Sequence, residues 1–379
     1  MKFGTRLVHF NKAPKDPFHP VSTPIYQTAT FEQPGVDRFG EYDYSRSGNP
    51  TRRVLEDQIA ALENGERGFC FASGMAAIAT VTHLLNAGDE ILTDYDLYGG
   101  TSRLFAKITE RLGIVVRYAD ASNPESFAAQ VRPATRLIYA ESPTNPFLRI
   151  LDLPRLAEIA HGQDALFCVD NSVMSPYLQN PLDLGADIVL HSATKFLCGH
   201  SDVTAGVVVV KEEALAEQIA FLQNAEGTAL GPFDSFLLLR GLKTLKLRMD
   251  AQQRGAEIVA NFLVQHPKVK AVYYPGLPGH PGHEVHRKQA RGGGALLSFT
   301  LESADAARRL AENSELFSIS VSFGSVHSSI SLPLTMSHAS VPEELKSTRH
   351  LSDSLLRLSV GIEDTEDILD DLTTQLNKL

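Results

Sequence analysis

The sequence is short of cysteine, of positive charge and of long apolar runs. Its three cysteines, Cys70, Cys168 and Cys198, have no CxxC spacing and lie in or beside apolar segments. That excludes a disulfide scaffold and leaves reduced, buried thiols in a cytoplasmic protein. Lysine and arginine total 35 against 45 aspartates and glutamates, a formal net charge of −10. Neither nucleic acid nor an anionic membrane is then expected as a partner, since either favours a concentrated basic face. No run approaches the ~20 apolar residues of a membrane span. The opening MKFGTRLVHFNKAPKDPFHP lacks an apolar h-region and carries Asp16, so no signal or transit peptide is expected. Small molecules remain the natural partners.

What is present is 379 residues of ordinary globular composition, 43% apolar and 21% charged, enough for two domains. Residues 1–48 lack a sustained period and are rich in Pro, Tyr and Phe, which predicts an extended arm ordered by a second subunit. A helix follows, opened by Asn49 and Pro50 and closed by Asn64-Gly65. Seven strand-like runs then alternate with helical spacers: GFCFA (68–72), EILTD (90–94), GIVVRYA (113–119), RLIYAES (136–142), ALFCVD (165–170), ADIVLHS (186–192) and GVVVVK (206–211). Such a pattern predicts an α/β fold with a mostly parallel central sheet covered on both faces. From Phe233 to Met249 the pattern becomes one long helical stretch, and a smaller α+β domain is expected beyond it. The domains expected are thus an arm over 1–48, a large domain over 49–236 and a C-terminal domain over 237–379.

The unusual polar residues follow the carboxyl ends of these runs: Ser73-Gly74-Met75, Tyr98 with Gly99-Gly100, Asn145, Asp170, and Ser192, Thr194 and Lys195. In an open parallel sheet the ligand crevice lies at that edge. Each residue alone has a plain structural reading, as a helix cap or a solvated side chain. Together they suit one cofactor. A helix N-terminus with glycine access and two hydroxyls suits a phosphate, a strand-end carboxylate a cation, and a desolvated lysine a carbonyl. Pyridoxal 5'-phosphate (PLP) needs all three.

Seven segments in order, YDYSRSGNPT (42–51), ASGMAA (72–77), DLYGGT (96–101), ESPTNP (141–146), VDNS (169–172), HSATKFLCGHSDVTAG (191–206) and LRLSVGIED (356–364), resemble the Cys/Met metabolism enzymes of PLP fold-type I. The loops DNSVMSP (170–176), VSFGSVHSSIS (321–331) and MSHASVP (336–342) look like those of its plant-type cystathionine β-lyase branch. The resemblance implies an aspartate aminotransferase-like fold. It also implies that Lys195 carries the cofactor as a Schiff base and shuttles a proton, and that Asp170 faces its ring nitrogen. Tyr98 would stack on the ring and serve catalysis by helping to deprotonate the incoming amine or assisting the leaving group, and the Gly74 and Met75 amides with the Ser192 and Thr194 hydroxyls would hold the phosphate. Tyr44 and Arg46 would reach that phosphate from the neighbouring subunit of a homotetramer, a dimer of active-site-sharing dimers. Asn145, Ser322 and Arg357 would orient a sulfur amino-acid substrate, Arg357 gripping its α-carboxylate.

The implied reaction is β-elimination of L-cystathionine to homocysteine, pyruvate and ammonia. Cystathionine γ-lyase, γ-synthase and methionine γ-lyase-like activities are rivals on the same scaffold. The resemblance places His327 where γ-acting members carry a glutamate, which favours the β reaction. A nicotinamide-dependent oxidoreductase lacks its GxGxxG, for which Gly292-Gly293-Gly294 does not substitute. A regulatory protein on a dead PLP fold is disfavoured by the intact Lys195 and Asp170. His280, His283 and His286 have tempting spacing, but Pro281 and Gly282 disfavour a shared helix face, so no metal is expected.

Overall fold

The computed structural model describes residues 1–10, 16, 18–339 and 351–379. Parts of the N-terminal arm (11–15 and 17) and the end of the MSHASVP segment (340–342) lie outside the described residues. The first long helix runs over Pro50–Glu63: the Asn49 side chain accepts from the Thr51 N–H at 3.0 Å, and Asn64 closes the helix at φ 59°. Both ends are where the caps predict.

All seven expected strands form: β1 (Arg67–Phe71), β2 (Glu90–Asp94), β3 (Val115–Ala119), β4 (Thr135–Glu141), β5 (Leu166–Asp170), β6 (Ile188–Ser192) and β7 (Gly206–Val210). They make one sheet in the order β1-β7-β6-β5-β4-β2-β3. The pairs β2–β3, β2–β4, β4–β5 and β5–β6 are parallel, while β1 and β6 each pair antiparallel with β7. Six strands therefore point one way and only β7 opposes them. Both faces are buried, with Phe167, Val169 and Val189 in one core and Tyr139, Cys168 and Leu190 in the other. This explains why the strands read as continuous apolar runs.

One polar cluster sits inside the first of these cores. Glu63, at the end of its helix, accepts from His191 Nε2 on β6 at 2.6 Å, from Asn171 Nδ2 at 3.0 Å and from Asn180 Nδ2 at 3.3 Å. Both Glu63 and His191 are fully buried, so these partners replace the water each would otherwise keep.

A second sheet is built from β8 (Ala271–Tyr273), β9 (Leu296–Thr300), β10 (Ser318–Ile319), β11 (Ser329–Ser331) and β12 (Leu355–Ser359), in the order β10-β11-β12-β9-β8. The helices Ala304–Asn313 and Thr365–Asn377 pack on it around a separate core.

Two expectations need correction. The N-terminal segment is not all extended, because Phe3–Val8 is a helix whose Leu7 is buried and whose Leu7 carbonyl accepts from Gln58 Nε2 at 3.0 Å. Its six residues are too few to leave a period. The helical stretch after Phe233 is two helices, Pro232–Leu242 and Leu245–Gln265. Arg248 reaches back across the break and donates to the carbonyls of Gly241 (3.0 Å), Phe196 (2.7 Å) and Leu197 (3.3 Å). The expected boundary at 236/237 falls within the first of these helices. Leu245 and Met249 of the second lie in the large-sheet core, whereas Ala256, Val259 and Leu263 lie in the smaller one.

Removing the Glu63 carboxylate strands His191 in a dry core and takes one acceptor from each of Asn171 and Asn180, which keep the carbonyls of Gln179 and Leu62. Glu63→Ala is expected to cost roughly 3 kcal/mol of unfolding free energy, measured by urea titration. A loss below about 1 kcal/mol would show that the cluster contributes little to stability.

Candidate active site

The common direction of β1–β6 gathers their carboxyl ends along one edge, where a single cavity is lined by Gly74, Met75, Tyr98, Asn145, Asp170, Ser192, Thr194, Lys195 and Arg357. Nine of the twelve expected site residues thus meet there. A tenth, Ser322, accepts from Lys195 Nζ at 2.6 Å.

One end of the cavity is an anion cradle. The helix Gly74–Thr82 starts right after β1, with the Ser73 side chain accepting from the Ala76 N–H at 3.1 Å. Its first intrahelical bond is from the Ala77 N–H to the Ser73 carbonyl, so the Gly74 and Met75 N–H groups remain for a ligand. A Cβ on Gly74 would come within 2.9 Å of Ser192 Cβ and 3.0 Å of its Oγ. Only glycine leaves that space open. Thr194 Oγ1 accepts from the Ala205 N–H at 3.0 Å, which fixes its position beside the helix.

Asp170 ends β5 on the same face as Ser192. Its Oδ1 accepts from the Ser172 N–H at 2.9 Å and its Oδ2 from the Tyr139 hydroxyl at 3.3 Å. Burial pushes this carboxyl up, while hydrogen bonds from Ser172, the charge of His191 and the Tyr139 hydrogen bond pull it back.

Lys195 stands on the turn after β6. The turn is held by Arg248 through the next two carbonyls and passes through Gly199 at φ 74°. Burial, and then the nearby Arg357 guanidinium, lowers the Lys195 amine to about 8, with Asp170 acting in the opposite direction. Arg357, on β12 and only 2% exposed, donates from Nη1 to Asn145 Oδ1 at 2.9 Å and from Nη2 to the Ser322 carbonyl at 3.2 Å. Burial brings it to about 10, still charged at neutral pH. The Phe323 ring faces both cations, at 5.0 Å from Lys195 Nζ and 5.2 Å from Arg357 Cζ. Its π-face offsets part of their repulsion.

Tyr44 and Arg46 do not line the cavity of their own chain. Tyr44 is exposed and the Arg46 guanidinium lies over its ring, while Arg46 Nη1 donates to the Asn224 carbonyl at 3.2 Å. His327 is also exposed and outside the cavity, its Nδ1 3.1 Å from Ser325 Oγ. His280, His283 and His286 each face a backbone carbonyl at 2.8 Å, those of Leu148, Pro275 and Gly292.

Sequence reasoning missed Glu141, Ser172 and Phe323. Glu141 lines the cavity and accepts from the Tyr98 N–H at 3.0 Å, fixing the start of the helix Gly99–Lys107. Ser172 Oγ accepts from the Ser192 N–H at 2.6 Å and so ties the loops after β5 and β6 together. A carboxylate at the end of an apolar strand was a usable signal for Glu141. Ser172 and Phe323 carried none.

The model of the family described as Cys/Met metabolism PLP-dependent enzymes matches residues 4–377. The chain belongs to this family. It is 53% identical over 357 residues to "Cystathionine beta-lyase, chloroplastic" of Arabidopsis thaliana, covering 94% of this chain and 77% of that one. It is 46% identical over 379 residues to a cystathionine γ-lyase of Bacillus subtilis (strain 168), covering both chains completely. A solved cystathionine γ-synthase from Xanthomonas oryzae pv. oryzae superposes with a TM-score of 0.97 at 40% identity, covering 100% of this chain and 98% of that one. The fold is fold-type I and the enzyme is PLP-dependent. The cradle that only Gly74 leaves open, the strand-end Asp170 and the desolvated Lys195 all fit that cofactor.

An amine lowered to about 8 is roughly 1% neutral at pH 6 and half neutral at pH 8. Borohydride trapping of pyridoxal on Lys195 in the apoprotein should therefore rise through pH 7–8 and level off by about pH 9. Peptide mapping measures this. A yield still climbing beyond pH 10 would mean an ordinary, solvated lysine.

Proposed function

We propose that the protein is a cystathionine β-lyase, cleaving L-cystathionine to homocysteine, pyruvate and ammonia. The observation that carries this reading is the buried Lys195 amine, 2.6 Å from Ser322 Oγ and beside Arg357, at the edge where Asp170 and the anion cradle meet. The name of the Arabidopsis thaliana relative supports the β assignment.

Bound PLP supplies an electron sink for charge developing at the substrate Cα. The Gly74 and Met75 N–H groups with Ser192 and Thr194 would hold its phosphate, and Asp170 its ring nitrogen. Lys195 is lowered enough to be partly neutral near pH 7–8, so it can take the Cα proton and return it later. Arg357 has donors beyond those used on Asn145 and Ser322 and would pair its fork with the substrate α-carboxylate. Asn145 holds one arm of that fork. Val173, Val321 and Phe323 line the cavity with apolar surface and limit water around these charges. Tyr98, which lines the cavity and is 37% exposed, would stack on the cofactor and meet the substrate.

The Bacillus subtilis relative named as a γ-lyase keeps γ-elimination as the second reading. An exposed imidazole at His327 offers a distal ammonium no attraction, which favours the β reaction. Incubating the holoenzyme with L-cystathionine should yield pyruvate and homocysteine well in excess of 2-oxobutyrate and cysteine, as read by chromatography. Mainly 2-oxobutyrate would replace the β assignment with the γ one.

The proposed assembly is a cytoplasmic homotetramer, a dimer of dimers in which Tyr44 and Arg46 serve the neighbour's cofactor phosphate. Support comes from the exposed apolar side chains of the arm, Phe18, Val21, Val36 and Phe39, which a second subunit would cover. For location, it comes from three buried free cysteines. Co-refolding Arg46→Ala with Lys195→Ala should restore activity from two inactive parents, because a hybrid holds one intact site. Hybrids that form but stay inactive would remove Arg46 from a shared site.

A further inference from the structure

Tyr139 sits in the middle of β4, 1% exposed, in a run that reads as plain apolar strand. It is in register with Cys168, two residues before Asp170 on β5, so its side chain leaves the sheet on the Asp170 face. There its hydroxyl donates to Asp170 Oδ2 at 3.3 Å, while its ring packs edge-on against Phe105 at 5.6 Å. The ring alone would satisfy that packing, so the hydroxyl needs a separate reason. Burial, and then the charges of Asp170 and Glu141, pushes the Tyr139 phenol well above its ordinary range. It remains a donor throughout the working pH range.

We propose that Tyr139 is a positioning residue whose buried hydroxyl holds Asp170 ionised for its contact with the cofactor's ring nitrogen. The proposal rests on the reading of Asp170 given above. Burial works against the ionised form of this carboxyl, and a protonated acid has no charge to offer a pyridinium. The Ser172 N–H holds one oxygen and Tyr139 the other, so each oxygen meets one donor and keeps acceptor capacity for the ring nitrogen. Other titratable groups also act on this site: Lys195 across the cavity, His191 on β6, Cys168 on β5, and Glu141 at the matching position of β4. The test must therefore isolate the hydroxyl.

Tyr139→Phe removes one oxygen and keeps the ring. The probe is pyridoxamine 5'-phosphate, an amine that cannot condense with Lys195, titrated into the full-length apoprotein from pH 5 to 9. Affinity at pH 7.5 is expected to fall about three- to tenfold, with the acid-side midpoint moving up by about half a pH unit or more. Thermal melting should change little. Asp170→Ala is the reference, and Tyr139→Phe added to Asp170→Ala should cost almost nothing further. If Tyr139→Phe keeps the wild-type affinity and midpoint, or repeats its full loss in the Asp170→Ala background, Tyr139 does not act through Asp170. If Asp170→Ala itself binds the probe as tightly as wild type, the underlying reading of Asp170 fails instead.

Discussion

The site depends on one constraint: six strands of the large sheet share a direction. Because β7 alone runs the other way, the chain emerges at the same edge after β1, β2, β4, β5 and β6. Each emergence leaves backbone donors without a ladder partner, and polar side chains take them up. Ser172 Oγ takes the Ser192 N–H, Asp170 the Ser172 N–H and Glu141 the Tyr98 N–H. Side chains that complete the backbone thereby line the cavity, so the scaffold's hydrogen-bond needs and the site's chemistry are met by the same atoms.

A second consequence is electrostatic. Lys195 comes from the large sheet and Arg357 from the smaller one, and closing the cleft brings two cations into one poorly hydrated space. Ser322 joins them, accepting from Lys195 through its hydroxyl and from Arg357 through its carbonyl. The Phe323 ring faces both. Their unequal fates follow from chemistry: guanidinium stays charged even when desolvated, while an ammonium gives up its proton more readily. The repulsion is thus expressed on Lys195, where a partly neutral amine is useful.

Behind the site, the structure is held by buried polar anchors. Arg248 ties the turn after Lys195 to the break between two helices, and Glu63 ties β6 to the helix Pro50–Glu63. Both are buried ionisable groups in dry surroundings, costly to leave unpaired and so demanding in geometry. They link the catalytic edge to elements that never touch the cavity.

Much of this was legible in the residues themselves. The strands could be read because a sheet buried on both faces needs continuous apolar runs, and the helix at Pro50–Glu63 because Asn49, Pro50 and Asn64 mark its ends chemically. Gly74, Asp170, Ser192 and Lys195 stood out because they interrupt apolar patterns at strand ends. Arg357 was different: by itself it read as a solvated strand residue, and only resemblance to a family raised it. What the sequence alone determined were the elements, their order and the chemistry available at each strand end. Only the tertiary structure decided the partners made across long separations: Tyr139 with Asp170, Ser322 with Lys195, Arg248 with the turn beyond Lys195, and Phe323 facing two cations. The physical reason is that periodicity and caps are local properties of the chain, whereas a hydrogen bond or a depressed pKa depends on which distant group burial brings alongside.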